Sequence, residues 1–324
     1  MDQHHDCEGP ARAEDPDVKM EPPGRDAAAP GSSATGHLIH VGFPKTGSNF
    51  LRRWFREHPQ LAYIDGGIAG YQDVYDVVRQ AAAQPADIRY RVTSSESLTA
   101  PQPDTGRRHQ RPEYQPDPAP GQENACAALA SLFPNARVLI VTRGFRAMIY
   151  SSFSQGVRAG ADMSLEECLS HPQIEGAWDY DRVIGMYRRA FGAERVLIMP
   201  YELLCDDAEG FVGVLEDGLG LTRLAPAPDR LNAALSPVEL YWYPRITRIV
   251  RRLPIGGRLK RLYLRGLFGN RFRPLIALLQ RLRPGAPVIA DVVPESLIAR
   301  YRARSLTLRD EPLFAAYARE YYQP

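Results

Sequence analysis

A chain of 324 residues, 44% hydrophobic and 24% charged, is long enough to bury one substantial core, and its net charge of +2 is that of an ordinary globular protein. Nowhere do 18 apolar residues run together, which excludes a membrane-spanning helix, and no basic start leads into an apolar stretch, so no secretory signal is expected. The four cysteines, Cys7, Cys126, Cys168 and Cys205, lack metal-ligand spacing. They read as reduced thiols of a cytoplasmic protein, and no metal is expected.

In chain order, residues 1–36 come first, with eight acids, three basic residues and no apolar period. This is the composition of a disordered acidic tail ahead of a single domain over 37–324. The domain opens on HLIHVGFPKTGSNFLRRWFREH, His37–His58: a short apolar strand, a polar loop and an amphipathic helix. Such a loop aims backbone amides, a lysine and small hydroxyls at one spot, which is how a protein holds phosphate at a helix N-terminus. Lys45 stands out because the 40 basic residues include only two other lysines, Lys19 and Lys260. A compact ammonium suits an oxygen whose charge grows during group transfer, whereas the planar arginine fork suits a standing oxyanion. The loop is not a standard Walker A sequence. Gly42 and Gly47 have the required separation, but Ser48 and Asn49 stand at the Lys and Ser/Thr positions, and Lys45 precedes the second glycine.

The next strand reads IRYRVTSSESL and brings Glu96 to its end, among small polar residues that can also begin a helix. Residues 99–121 follow with six prolines and no hydrophobic rhythm, a loop that either borders a binding site or is a solvated insertion. Ala136–Arg143, ARVLIVTR, is a continuous apolar run typical of a buried parallel strand. After Gly144 the chain reads as a helix carrying Ser151, and Tyr180–Phe191 has the one-face apolar spacing of another. A further buried strand over Arg195–Met199 leads to Tyr201 and Glu202. No histidine lies between His58 and His109; His109 and His171 sit beside proline-rich or proline-bounded turns and are expected in solvent. His40 alternates with apolar strand residues and is expected in the core.

From Leu240 to Ala290 there is no acid, while eleven arginines and Lys260 give the segment +12 and leave −10 for the rest of the chain. Arginines interleaved with Ile, Leu, Tyr and Phe suit an anionic lipid surface, a polyanionic acceptor, a bound phosphate, or simply the solvent face of a helix. No nucleic-acid motif accompanies the charge, and no nucleic-acid partner is expected.

PKTGSNF, together with an arginine at a strand end and a serine eight residues later on the next helix, resembles the sulfotransferases that use 3′-phosphoadenosine 5′-phosphosulfate (PAPS). Asn49 and Phe50 replace the commoner Thr and Trp of that loop, and the glycine-rich C-terminal segment of the classical cytosolic enzymes is absent. The resemblance covers roughly 38–221 and implies a three-layer α/β/α fold with a central parallel sheet, the P-loop NTPase-like sulfotransferase fold. It implies Lys45 as a catalytic donor, and Thr46, Gly47, Ser48, Asn49 and Phe50 around the 5′-phosphosulfate. Arg143 and Ser151 would hold the 3′-phosphate. Tyr201 is placed against the adenine by the resemblance, with core packing as the other reading. Glu96 is expected as general base for a hydroxyl acceptor, a carbohydrate, lipid-linked sugar or small natural product, with a capping carboxylate as the other reading. A P-loop-type kinase and a non-catalytic binding member of the fold remain the alternative functions.

Overall fold

Five short segments form the strands of one parallel sheet: β1 (Gly36–Gly42), β2 (Leu61–Tyr63), β3 (Tyr90–Ser94), β4 (Arg137–Thr142) and β5 (Val196–Pro200). Their order across the sheet is β2-β3-β1-β4-β5, with every pairing parallel. The computed structural model describes residues 35–82, 87–99, 117–170, 178–225, 235–269, 271–282 and 293–324. The acidic tail to residue 34, most of the proline-rich loop, His109, His171 and residues 283–290 of the arginine-rich stretch therefore lie outside the described residues.

Strand alternation explains the layers. Ile39 and Val41 of β1, with Val138 and Ile140 of β4, point into one apolar cluster; Leu38 and Leu139 point into the other. The first cluster is closed by α3 (Ala119–Leu132), α4 (Phe145–Arg158) and α6 (Tyr180–Phe191). The second is closed by α1 (Ser48–Glu57) and α8 (Ala208–Leu219). Because both faces of the sheet are covered, β4 and β5 are nearly continuous apolar runs, as the sequence predicts, whereas β3 (YRVTS) keeps polar residues. The result is the three-layer α/β/α arrangement.

Shorter elements fill in the rest: α2 (Val74–Ala82), α5 (Leu165–Leu169) and α7 (Tyr201–Asp206). The elements described beyond α8 are helical, among them α9 (Pro237–Arg252), α10 (Gly257–Phe268), α11 (Arg273–Leu282), α12 (Glu295–Arg302) and α13 (Ala318–Tyr321). A Ser236–Glu239 capping box starts α9, each side chain satisfying the other's backbone N–H. No described helix is long and apolar enough to cross a membrane.

Three boundaries differ from the sequence reading. The strand that ends near Glu96 is not the first after α1, because β2 and α2 intervene; three residues of strand are too few to show a period of two. Glu96 itself opens a 3-10 turn, Glu96–Leu98, just past β3. The proline-rich stretch ends earlier than 121, since α3 begins at Ala119 with Pro120 in its first turn, where a missing N–H is harmless.

The order of strands decides where a ligand can sit. From β1 the chain leaves toward β2 and β3 on one side and reaches β4 and β5 on the other, so the carboxyl ends of β1 and β4 flank a topological switch point.

Candidate active site

The loop between β1 and α1 is set by its backbone. Gly42 has φ +116°, and a Cβ there would meet Thr99 Oγ1 at 2.6 Å and Glu96 O at 3.2 Å. Gly47 has φ +85°, and its Cβ would meet Leu204 Cδ2 at 2.6 Å and the Tyr201 ring at 3.2 Å. Both glycines are therefore required by conformation and by space. Lys45 between them adopts φ +69°, a left-handed conformation that costs a side-chain-bearing residue about 1 kcal/mol or more. The Thr46 hydroxyl donates to Phe43 O at 2.5 Å and Phe43 N donates to Val141 O at 2.8 Å, which ties the loop to itself and to β4.

The start of α1 is built for an anion. Its N-cap is Gly47, with no side chain to accept from the first-turn amides and no acid in that turn. The Ser48 hydroxyl is buried and has no hydrogen-bond partner among the described residues. An orphaned buried donor beside uncapped helix amides is what a phosphate oxygen would satisfy. Asn49 is exposed, its Oδ1 accepting from Arg52 Nη2 at 2.8 Å, so it stands at the rim. Phe50 is buried in the apolar cluster beneath α1 with Leu51 and Trp54.

Arg143 crosses to this loop from the end of β4. Its Nη1 donates to Lys45 O at 2.9 Å, its guanidinium lies 4.6 Å from the centre of the Tyr201 ring, and its buried Nε has no partner among the described residues. Its main chain is clamped: the Tyr180 hydroxyl donates to Arg143 O at 2.6 Å and accepts from Arg143 N at 3.3 Å. The next amide, Gly144 N, donates to Glu202 Oε1 at 2.9 Å, and Tyr321 Oη donates to Glu202 Oε2 at 2.5 Å. Burial pushes the Glu202 carboxyl above its usual range, and these hydrogen bonds partly counter the shift.

Lys45 is the electrostatic meeting point. It is half-buried, and desolvation pulls its pKa below the usual lysine range; the Glu96 carboxylate acts against that shift, while Arg158 and Arg143 reinforce it. Lys45, Glu96, Arg143 and Tyr201 are thus brought together around one loop. Ser151 is 8% exposed on α4, on the same helical face as Arg158 seven residues later. Burial lifts the Tyr201 hydroxyl to about 12.

Among the described histidines, His40 and His58 are core residues. His40 is fully buried, shares a 2.8 Å hydrogen bond between Nδ1 and the Ser94 hydroxyl, and is held down to about 3 by burial and by Arg52. Sequence reasoning missed three residues: Arg158, Glu202 and Tyr321. The first was readable from its seven-residue spacing to Ser151. Glu202 was signalled by a carboxylate directly after an apolar strand. Tyr321 carried no signal, since it reaches the site only through the packing of the last helices.

The chain shares 16% identity with a sulfotransferase from Alicyclobacillus acidocaldarius whose crystal structure is known; the likeness covers 71% of this chain and all of that one, with a TM-score of 0.44. No curated protein sequence matches it. The model of the sulfotransferase family matches residues 38–226, from β1 past the end of α8 and so across every strand and the whole loop system just described. By that match the chain belongs to the sulfotransferase family.

Proposed function

We propose that the protein transfers a sulfuryl group from PAPS to a hydroxyl acceptor at the crevice between the ends of β1 and β4. The observation that carries this reading is the pairing of two anion-ready features, one at each side of the switch point. The uncapped start of α1 with the orphaned Ser48 hydroxyl would take the 5′-phosphosulfate, with the amides of Thr46, Gly47 and Ser48. Arg143, with its free buried Nε, would take the 3′-phosphate together with Ser151; Arg158 would add positive potential on the same helix face. Tyr201, which lies under the Arg143 guanidinium and beside Gly47, would flank the adenine.

In the transfer the acceptor oxygen forms a bond to sulfur as the bond from sulfur to the 5′-phosphate oxygen breaks, and the acceptor proton passes to the Glu96 carboxylate. Lys45 would neutralise charge on the bridging and sulfuryl oxygens as they develop it. Glu96 favours the charged ammonium that this role requires. The main chain of Glu96 lies against Gly42 and its carboxylate acts on Lys45, which supports Glu96 as the base that in-line attack requires opposite the leaving phosphate.

Calorimetric titration of 3′-phosphoadenosine 5′-phosphate beside ADP, with and without magnesium, tests the reading. Magnesium-independent binding that needs the 3′-phosphate and weakens at least about tenfold in Arg143→Ala is expected, one charge-assisted pair contributing about 1.5–3 kcal/mol. Preference for ADP with magnesium would make the protein a kinase and overturn it.

A further inference from the structure

We propose that the outward faces of α10 and α11 form a docking surface for an anionic lipid bilayer. These helices are held onto the core by one side each: Leu267 and Ile276 are buried, the Tyr263 and Phe272 rings stack with centroids 5.4 Å apart, and Phe272 presses on Gly266. The apolar surface continues past this contact, along its exposed flank. Leu259 and Leu262 on α10 are 57% and 61% exposed, and Leu275 and Leu278 on α11 are 44% and 53% exposed. Each pair is spaced i, i+3 and so sits on one stripe of its helix. Half of the large apolar side chains exposed among the described residues fall between Ile249 and Leu278. Such a concentration marks an interaction surface rather than scattered exposure.

Six arginines of the same stretch, from Arg248 to Arg265, divide into two groups. Arg248 and Arg251 are structural, bonded to Glu167, Asp162 and Gly160 around α5 and the end of α4. Arg252, Arg258, Arg261 and Arg265 are exposed, and none forms an ion pair among the described residues. No acid lies anywhere from 240 to 290 to offset them.

Charge complementarity selects the occupant. Four uncompensated guanidinium groups interleaved with exposed leucines match a headgroup layer with acyl chains beneath, where arginine stems lie along apolar surface and their heads meet phosphate. A nucleic-acid backbone would use the arginines but has no use for the leucines. Helices of 12 and 10 residues are too short to span a bilayer and would lie in its plane.

Flotation with phosphatidylcholine vesicles, alone and with a minority of phosphatidylglycerol, tests this without donor or acceptor, so its outcome is independent of the proposed chemistry. The full chain should float only with the anionic vesicles. Arg258→Gln with Arg261→Gln should weaken partitioning about 30-fold, at about fivefold per arginine. Leu259→Ser with Leu262→Ser should weaken it at least about tenfold. All four side chains are exposed, so both double variants should keep the parent circular dichroism. Equal partitioning to neutral vesicles would overturn the proposal, as would anionic binding unchanged in the leucine variant. Self-association that the leucine variant abolishes, with no vesicle binding, would assign the surface to a second copy of the chain instead.

Discussion

Replacing Tyr321 by Phe removes one oxygen atom and with it two hydrogen bonds, the 2.5 Å bond donated to Glu202 and the longer, 3.3 Å bond accepted from the Thr142 hydroxyl, of which the first dominates because its acceptor is a carboxylate. Tyr321 is fully buried, so no water replaces the lost donor without rearrangement. A hydrogen bond to an ionised group contributes about 1.5–3 kcal/mol net, so the variant should lose about 2 kcal/mol, or about 4 °C in Tm for a chain of this size. The loss should depend on pH. Burial already raises the Glu202 carboxyl above its ordinary value, so the stability it contributes is fully present below about pH 4.5 and is lost as pH rises through the folded-state value. Tyr321 donates to the carboxylate and so resists protonation; without it the folded-state value climbs further, and the gap between variant and parent should widen from pH 5 to pH 8. Urea unfolding at several pH values measures this directly. A gap under about 0.5 kcal/mol, or one that does not change with pH, would refute the claim that Glu202 ties the last helix to the amide beside Arg143.

Other outcomes follow from the same geometry. Lys45→Ala should lower kcat by roughly 10²–10³ while the protein stays folded, read in a PAPS turnover assay; an unchanged kcat would remove Lys45 from the transition state. Glu96→Gln should lower kcat by about 10²–10⁴ with nucleotide affinity unchanged, and full activity in that variant would mean another group takes the proton. His40, held down to about 3 in the fold, favours its neutral form, so the stability it contributes is present above pH 6.5 and lost as pH falls. About 2 kcal/mol should disappear between pH 7 and pH 5 for this group alone, and His37, lowered to about 4, acts in the same direction. Denaturant titration showing equal stability at pH 5 and pH 7 would contradict this.

β4 and β5 were legible as unbroken apolar runs, and α6 as a one-face helix; Tyr180–Phe191 spans the same residues in sequence and in structure. The loop around Lys45 was legible because glycine, lysine and small hydroxyls in that order have few other uses. The place of Glu96 just past a strand was readable although β2 and α2 had been overlooked, since it depends on the end of β3 and not on the count of strands before it. What escaped was long-range. Glu202, Tyr180 and Tyr321 converge on Arg143 and Gly144 from three distant stretches, each a buried polar group whose partner no local pattern names. The arginine-rich stretch was visible as charge, but only the fold separates Arg248 and Arg251, which brace the structure, from the arginines that remain uncompensated.

The bond from Arg143 to the carbonyl of Lys45 makes the two ends of the crevice report on each other. The guanidinium that would grip the 3′-phosphate also fixes the peptide from which the Lys45 side chain springs. A donor lacking that phosphate would leave the guanidinium free to shift, and the lysine would be aimed by a looser loop. Discrimination would then be written into the turnover of the bound complex as well as into its affinity, and raising the concentration of the wrong nucleotide would fill the site without restoring the rate.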